Sequence, residues 1–267
     1  MSTQSNVRVT YDLRHGAAWI TMQEPERRNP LGREMVAQLR SAVARAYADT
    51  WARCIVIAGA GPVFCAGADL RQYLEAADEQ AVMDDGARLY DLLDDLASCP
   101  KPVIVRVQRG AFGGAIGIIC AADIVIAGEG ARFSLSEAKL GLVPAVIGPA
   151  VVRSLGRRHA LALMLRAEPI GSAEALRVGM VQQVVPDDDL DAAVTACTLA
   201  LSTNAPGSMR DAKQMVIGLG EHGRTPLDIR ADAVRLAARR RVDPEGQEGM
   251  AAFLEKRKPN WAEQVHE

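Results

Sequence analysis

Residues Val7 to Leu13 alternate apolar and polar side chains, the pattern of a strand buried on one face. Gly16 follows, and Ala17 to Met22 reads as a second strand, so the pair predicts a hairpin. Pro25 to Pro30 is a charged loop. Met35, Leu39, Val43 and Tyr47 recur at helical spacing and predict a helix from Gly32 to Tyr47. Cys54 to Ala58 is a short unbroken apolar run, which predicts a strand covered on both faces. Gly59 to Gly67 is a loop of small residues, and Asp69 is placed to cap the short helix after it. A long helix is predicted over Glu79 to Cys99, halted by Lys101-Pro102 before a strand at Val103 to Val107. The order then recurs: a glycine loop at Gly110 to Gly114, a short helix to Ala122 and a strand at Ile124 to Ala127. Strand, loop and helix in succession predict an α/β fold with mainly parallel strands. Beyond Gly148 the pattern is helical apart from a strand at Val181 to Val185. A boundary near Asn204 to Gly207 divides a core, residues 1–204, from a helical subdomain, residues 205–267.

Composition narrows the function classes. The chain of 267 residues is 49% apolar and 24% charged, an ordinary globular mix. The net charge of −2 gives no electrostatic footprint for nucleic acid or an anionic membrane. The polar N-terminal segment lacks a signal core, and no apolar run reaches spanning length, so a soluble cytoplasmic protein is expected. Five cysteines without CxxC spacing read as reduced thiols rather than disulfides or a zinc site. His15, His159, His222 and His266 are scattered with no second ligand at metal spacing, so no metal is expected.

Two loops carry the candidate chemistry. Phe64 to Leu70 (FCAGADL) and Gly110 to Ala115 (GAFGGA) each follow a buried strand and open a helix. Small side chains let backbone N–H groups approach a ligand, and a helix start leaves N–H groups unpaired. Two such loops side by side could aim two donors at one developing oxyanion. On composition alone, two tight turns packed together explain them equally well. Ser134 to Glu137 reads as a helix start, with Glu137 placed to favour the helix dipole.

FCAGADL, KPVIVRV, GAFGGA leading to AAD, and FSLSEAKLGLVP stand in the order and spacing of the enoyl-CoA hydratase/isomerase (crotonase) family. The chain resembles that family from Val7 to Trp261, and QEGMAAFLEKRKPNW resembles its closing helix. The resemblance implies a spiral of strand–strand–helix repeats with a helical C-terminal trimerisation region. It implies a homo-oligomer, either a trimer or a dimer of trimers. It further implies an acyl thioester substrate, with coenzyme A as part of that substrate and no separate cofactor.

Carried over motif by motif, the thioester oxygen falls between the N–H groups of Ala68 and Gly114, beside Gly113, and Glu137 becomes the acid/base. Family hydratases carry a second glutamate where this chain has Gly117. A glycine there implies open space beside the substrate. It leaves three readings: Glu137 alone as base and acid, help from a carboxylate on the substrate, or an isomerisation or dehydration needing one proton shuttle. Arg27 and Arg28 lie where the family places a basic residue near the coenzyme A phosphates, and arginine suits phosphate. Ala66, Asp69 and Leu70 lie where it surrounds the adenine.

LVPAVIGPAVVRSLG, taken with Gly117, is similar to the methylglutaconyl-CoA and carboxygeranoyl-CoA hydratase branch. The expected activity is therefore hydration or dehydration of a 2-enoyl thioester, branched ones included. Enoyl-CoA isomerisation, dehydration on an acyl-carrier protein and non-catalytic acyl-CoA binding are the alternatives.

Overall fold

A computed structural model describes residues 7–75, 78–220 and 223–262. Two of the scattered histidines, His222 and His266, lie outside the described residues.

The chain opens with a hairpin of β1 (Val9–Arg14) and β2 (Ala17–Met22), paired from Val9 with Met22 to Arg14 with Ala17. Its two-residue turn, His15-Gly16, has φ of 52° and 70°, the left-handed pair that matches the twist of a hairpin. α1 (Arg33–Ala48) buries Met35, Val36, Leu39, Val43 and Ala46. Tyr47, predicted on the buried stripe, is 59% exposed. Steps of four drift about 40° each around a helix of 3.6 residues per turn, so the fourth position has left the face. Ala46 closes the stripe instead.

β3 (Cys54–Gly59) is buried at all six positions and runs parallel to β2. Next come α2 (Leu70–Glu75) and α3 (Glu79–Ser98), the latter capped by Asp78, whose carboxylate accepts from Ala81 N–H at 2.9 Å. β4 (Val103–Val107) extends the parallel sheet. The predicted glycine loop is in part a strand, β5 (Gly110–Phe112), and it leads into α4 (Gly114–Ala121). β6 (Ile124–Gly128) returns to the main sheet, and β7 (Arg132–Ser134) pairs in parallel with β5. α5 (Gly148–Arg166) is kinked at Gly156, and β8 (Ile170–Gly171), α6 (Ser172–Arg177), β9 (Gln183–Val185) and α7 (Leu190–Ser202) follow. From Pro206 onward the described residues are helical: α8 (Pro206–Leu219), α9 (Pro226–Val242), α10 (Pro244–Leu254) and a short 3-10 turn.

The six-stranded sheet has the order β1-β2-β3-β4-β6-β9, and the three-stranded sheet β5-β7-β8. Successive turns of the chain give one strand to each: β4 then β5, β6 then β7. Alternation along the strands sends side chains to two cores. Ile55 and Ile57 face the larger core under α1, α3 and α4, whereas Cys54 and Val56 face the smaller one covered by Leu190 and Val194 of α7. No helix among the described residues is long and apolar enough to cross a membrane.

Candidate active site

The two loops read from the sequence meet. Cys65 N–H donates to Gly110 O at 3.3 Å and Phe112 N–H to Cys65 O at 3.2 Å, so the strand ends pair as a parallel bridge. Just beyond it the backbones touch. Gly67 has φ of 91°, and a Cβ there would lie 2.5 Å from Phe112 O, so only glycine fits.

A strap formed by residues 28–31 backs the first loop. Ala66 N–H donates to Arg28 O, and Leu31 N–H to Gly67 O, both at 2.8 Å. Within the strap, Asn29 is fully buried with φ of 53°. Its Nδ2 donates to the carbonyls of Ala60, Val63 and Phe64, while its Oδ1 accepts from Glu24 N–H at 2.9 Å.

Gly67 N–H donates to Cys65 Sγ at 3.4 Å, and burial pushes that thiol up to about 12, so it stays protonated. Gly113 N–H donates to Ser134 O at 2.9 Å. The N–H groups of Ala68 and Gly114 have no protein acceptor among the described residues. Gly114 is the first residue of α4, where an unpaired donor is expected.

Both residues line a cavity of about 320 Å³, together with Ala66, Leu70, Gly113 and Glu137. Glu137 opens a 3-10 turn, Glu137–Leu140, just after β7, and Ser136 makes no side-chain cap there. The carboxylate turns inward: a Cβ on Gly113 would lie 3.2 Å from Oε1. Oε2 is buried and has no hydrogen-bond partner among the described residues. Burial raises the carboxyl above the ordinary glutamate range, partly offset by its own backbone N–H. Two free amide donors beside a carboxyl of raised pKa suit one kind of chemistry, a proton moved while negative charge builds on a neighbouring oxygen.

A family model for the enoyl-CoA hydratase/isomerase family matches residues 12–264. The chain belongs to that family. Escherichia coli 1,2-epoxyphenylacetyl-CoA isomerase is 35% identical over 255 residues, covering 92% of this chain and 95% of that protein. An enoyl-CoA hydratase from Shewanella pealeana superposes with a TM-score of 0.91 at 36% identity, covering 97% of each chain. An enoyl-CoA hydratase from Mycobacterium smegmatis gives 0.89 at 28% identity, covering 95% of this chain and 98% of that one.

The remaining sequence-derived positions of this hydratase/isomerase family member separate. Ala66 and Leu70 line the cavity. Asp69 is 6% exposed and accepts from Arg27 Nη2 at 2.6 Å, so that guanidinium is committed to holding the start of α2. Asp69 Oδ1 also accepts from Arg71 N–H at 3.3 Å, as the predicted cap. The Arg28 side chain is exposed and has no ion pair among the described residues, while its carbonyl holds the strap. Gly117 overturns an expectation. It opens no space, because a Cβ there would meet Ile147 Cγ2 at 2.6 Å and Leu93 Cδ1 at 3.0 Å. Gly114 and Gly117 both face α3, through Leu89 and Leu93, and the glycines let the two helices pack closely.

Three residues at the site were not picked out from the sequence. Tyr73 lines the cavity one helical turn after Leu70, a spacing that could have found it. Asn29 was legible only as a polar residue before proline. Ile147 comes to Gly117 from 30 positions away, and no local pattern signals that contact.

Proposed function

We propose that this enzyme adds water to, or removes it from, the double bond of a 2-enoyl thioester. The N–H groups of Ala68 and Gly114 grip the thioester oxygen and Glu137 moves the proton. The observation that carries the reading is the buried, unpartnered Oε2 of Glu137 beside two loops whose last amides are unspent. In hydration, Glu137 takes a proton from water as oxygen bonds to C3. The π electrons pass to the thioester oxygen between the amides, and the proton then goes to C2 as the carbonyl re-forms. Coenzyme A enters as part of the substrate, with the exposed guanidinium of Arg28 toward its phosphates and Ala66 and Leu70 along its path. The apolar wall of Leu142, Val143, Val146 and Ile147 suits a branched acyl chain.

Glu137→Gln is expected to lower hydration of crotonyl-CoA and 3-methylglutaconyl-CoA by about 10²–10⁴-fold with circular dichroism unchanged. Full activity of that variant on every enoyl-CoA would remove Glu137 from the reaction.

One observation favours a second reading. Ile147 and Leu93 close the wall at Gly117 and Asp85 is held by Arg33 and Arg88, leaving Glu137 as the carboxylate not held by an arginine in the cavity, and a single carboxylate suffices for double-bond migration. Deuterium uptake from solvent without net water addition would select it.

The assembly that fits is a homo-oligomer, a trimer or a dimer of trimers, through the C-terminal helices. α9 has no buried residue, and Leu227, Val234 and Val242 on it are exposed.

A further inference from the structure

Four polar side chains line the cavity: Tyr73, Asp85, Ser136 and Glu137. Asp85 is already spent. Its Oδ1 and Oδ2 accept from Arg33 Nε at 2.8 and 2.9 Å, and Oδ1 accepts also from Arg88 Nη1 at 2.9 Å. The α4 wall is apolar, since Ile147 and Leu93 cover Gly117. A water held by Glu137 alone would have one protein partner, whereas a buried water makes about three hydrogen bonds. Ser136 adjoins Glu137 on the same wall, so with Asp85 spent the polar side chain that comes to the cavity from another element is Tyr73.

Tyr73 meets that need. It stands on α2, which leaves directly from the first loop, and its N–H donates to Asp69 O at 3.2 Å. Asp69 is itself fixed by Arg27 at 2.6 Å, so the helix start is anchored. Leu70 and Tyr73, three residues apart, present one face to the cavity. No protein group bonds the phenol among the described residues. Burial, then the charges of Asp85 and Glu137, raise its pKa above the ordinary value. The phenol therefore keeps its proton at neutral pH, and Tyr73, 45% exposed over the whole residue, shares the cavity with Glu137.

We propose that the Tyr73 hydroxyl seats the attacking water beside Glu137, as a positioning residue for hydration. This rests on the hydratase reading above. The water proton goes to Glu137, the oxygen bonds to C3, and Glu137 returns the proton to C2. Tyr73 keeps its own proton throughout, and water is the only co-reactant. Exchange of a C2 proton with solvent needs Glu137 and the amide pair but no seated nucleophile, so the two reactions separate the role.

The experiment is Tyr73→Phe in the full chain, which keeps the ring and removes the hydroxyl. Hydration of crotonyl-CoA is followed by loss of the enoyl-thioester absorbance, and C2 exchange of butyryl-CoA in D₂O by mass spectrometry. The expected result is a kcat for hydration lower by about tenfold or more, the worth of one hydrogen bond to the reacting water. KM and C2 exchange stay within about threefold, since neither needs that bond. Wild-type hydration in the variant overturns the proposal, as does a parallel loss of hydration and exchange. Glu137→Gln keeps the two failures apart, because it abolishes both reactions if the hydratase reading stands. A wild-type protein that exchanges C2 but never hydrates overturns both the reading and the role of Tyr73.

Discussion

Gly117 lies on α4 with Ile147 Cγ2 and Leu93 Cδ1 packed onto the place a side chain would take. Ordinarily alanine gains about 1 kcal/mol over glycine inside a helix. Here the added methyl has to displace a branched side chain, and overpacking costs about 1–3 kcal/mol. Gly117→Ala is therefore expected to lower stability, read as a lower urea midpoint. Ile147→Ala is expected to cost about 2–5 kcal/mol alone, through the cavity it leaves. In the double variant the new methyl fills part of that cavity, so the two losses should sum to more than the measured one by about 1 kcal/mol. Additive losses would mean that the two residues do not share the space. At this scale the sequence was legible where chemistry ties a residue type to a motif. Ala68, Gly114 and Glu137 were singled out through the family resemblance of FCAGADL, GAFGGA and FSLSEAKLG, since composition alone left two packed turns and a helix start. Ile147 was not, because its contact joins distant parts of the chain and any bulky apolar residue makes the same local pattern.

Among the elements, the strap carrying Asn29 has the largest leverage for its size. One amide reaches the carbonyls of Ala60, Val63 and Phe64 and accepts from Glu24 N–H, all just before Ala68 in the first loop. Asn29→Ala leaves these groups without a partner, at about 1–3 kcal/mol for each one kept from water. The expected loss is at least about 2 kcal/mol in urea unfolding, with activity falling further than stability because the first loop loses its backing. A variant as stable as the wild type would show that water replaces the amide. The hairpin and α1 were legible from their patterning, β3 from its unbroken apolar run, and α3 and β4 from the Lys101-Pro102 stop between them. β5 and β7, at three residues apiece, span less than two full alternations and were read as loop or passed over. Yet β5 is what brings Gly113 against Gly67. The sequence located both loops without revealing the strand pairing that joins them.

Taken as a whole, the molecule lines its candidate site from the first loop, α2, α3, the start of α4 and the segment before α5, and leaves its C-terminal helices poorly covered. Leu227 is 70% exposed and Val242 75% on a helix with no buried residue, an apolar surface that association would remove from water. Light scattering is expected to give three or six times the chain mass, and Val234→Glu to lower it. A wild-type monomer at micromolar concentration would contradict the proposed assembly. The α/β class and the helical end were legible from the order of elements, whereas the split into two sheets was not, because it depends on pairings between segments far apart. The bridge between Cys65 and Ala111 has one further implication. It ties the loops that carry the proposed donors Ala68 and Gly114 into a common backbone unit, while Leu70, Tyr73, Val82, Leu142, Val143 and Val146, which also line the cavity, are not part of that bridge. Substitutions in those surroundings can therefore reshape the cavity while leaving the proposed donor pair in place.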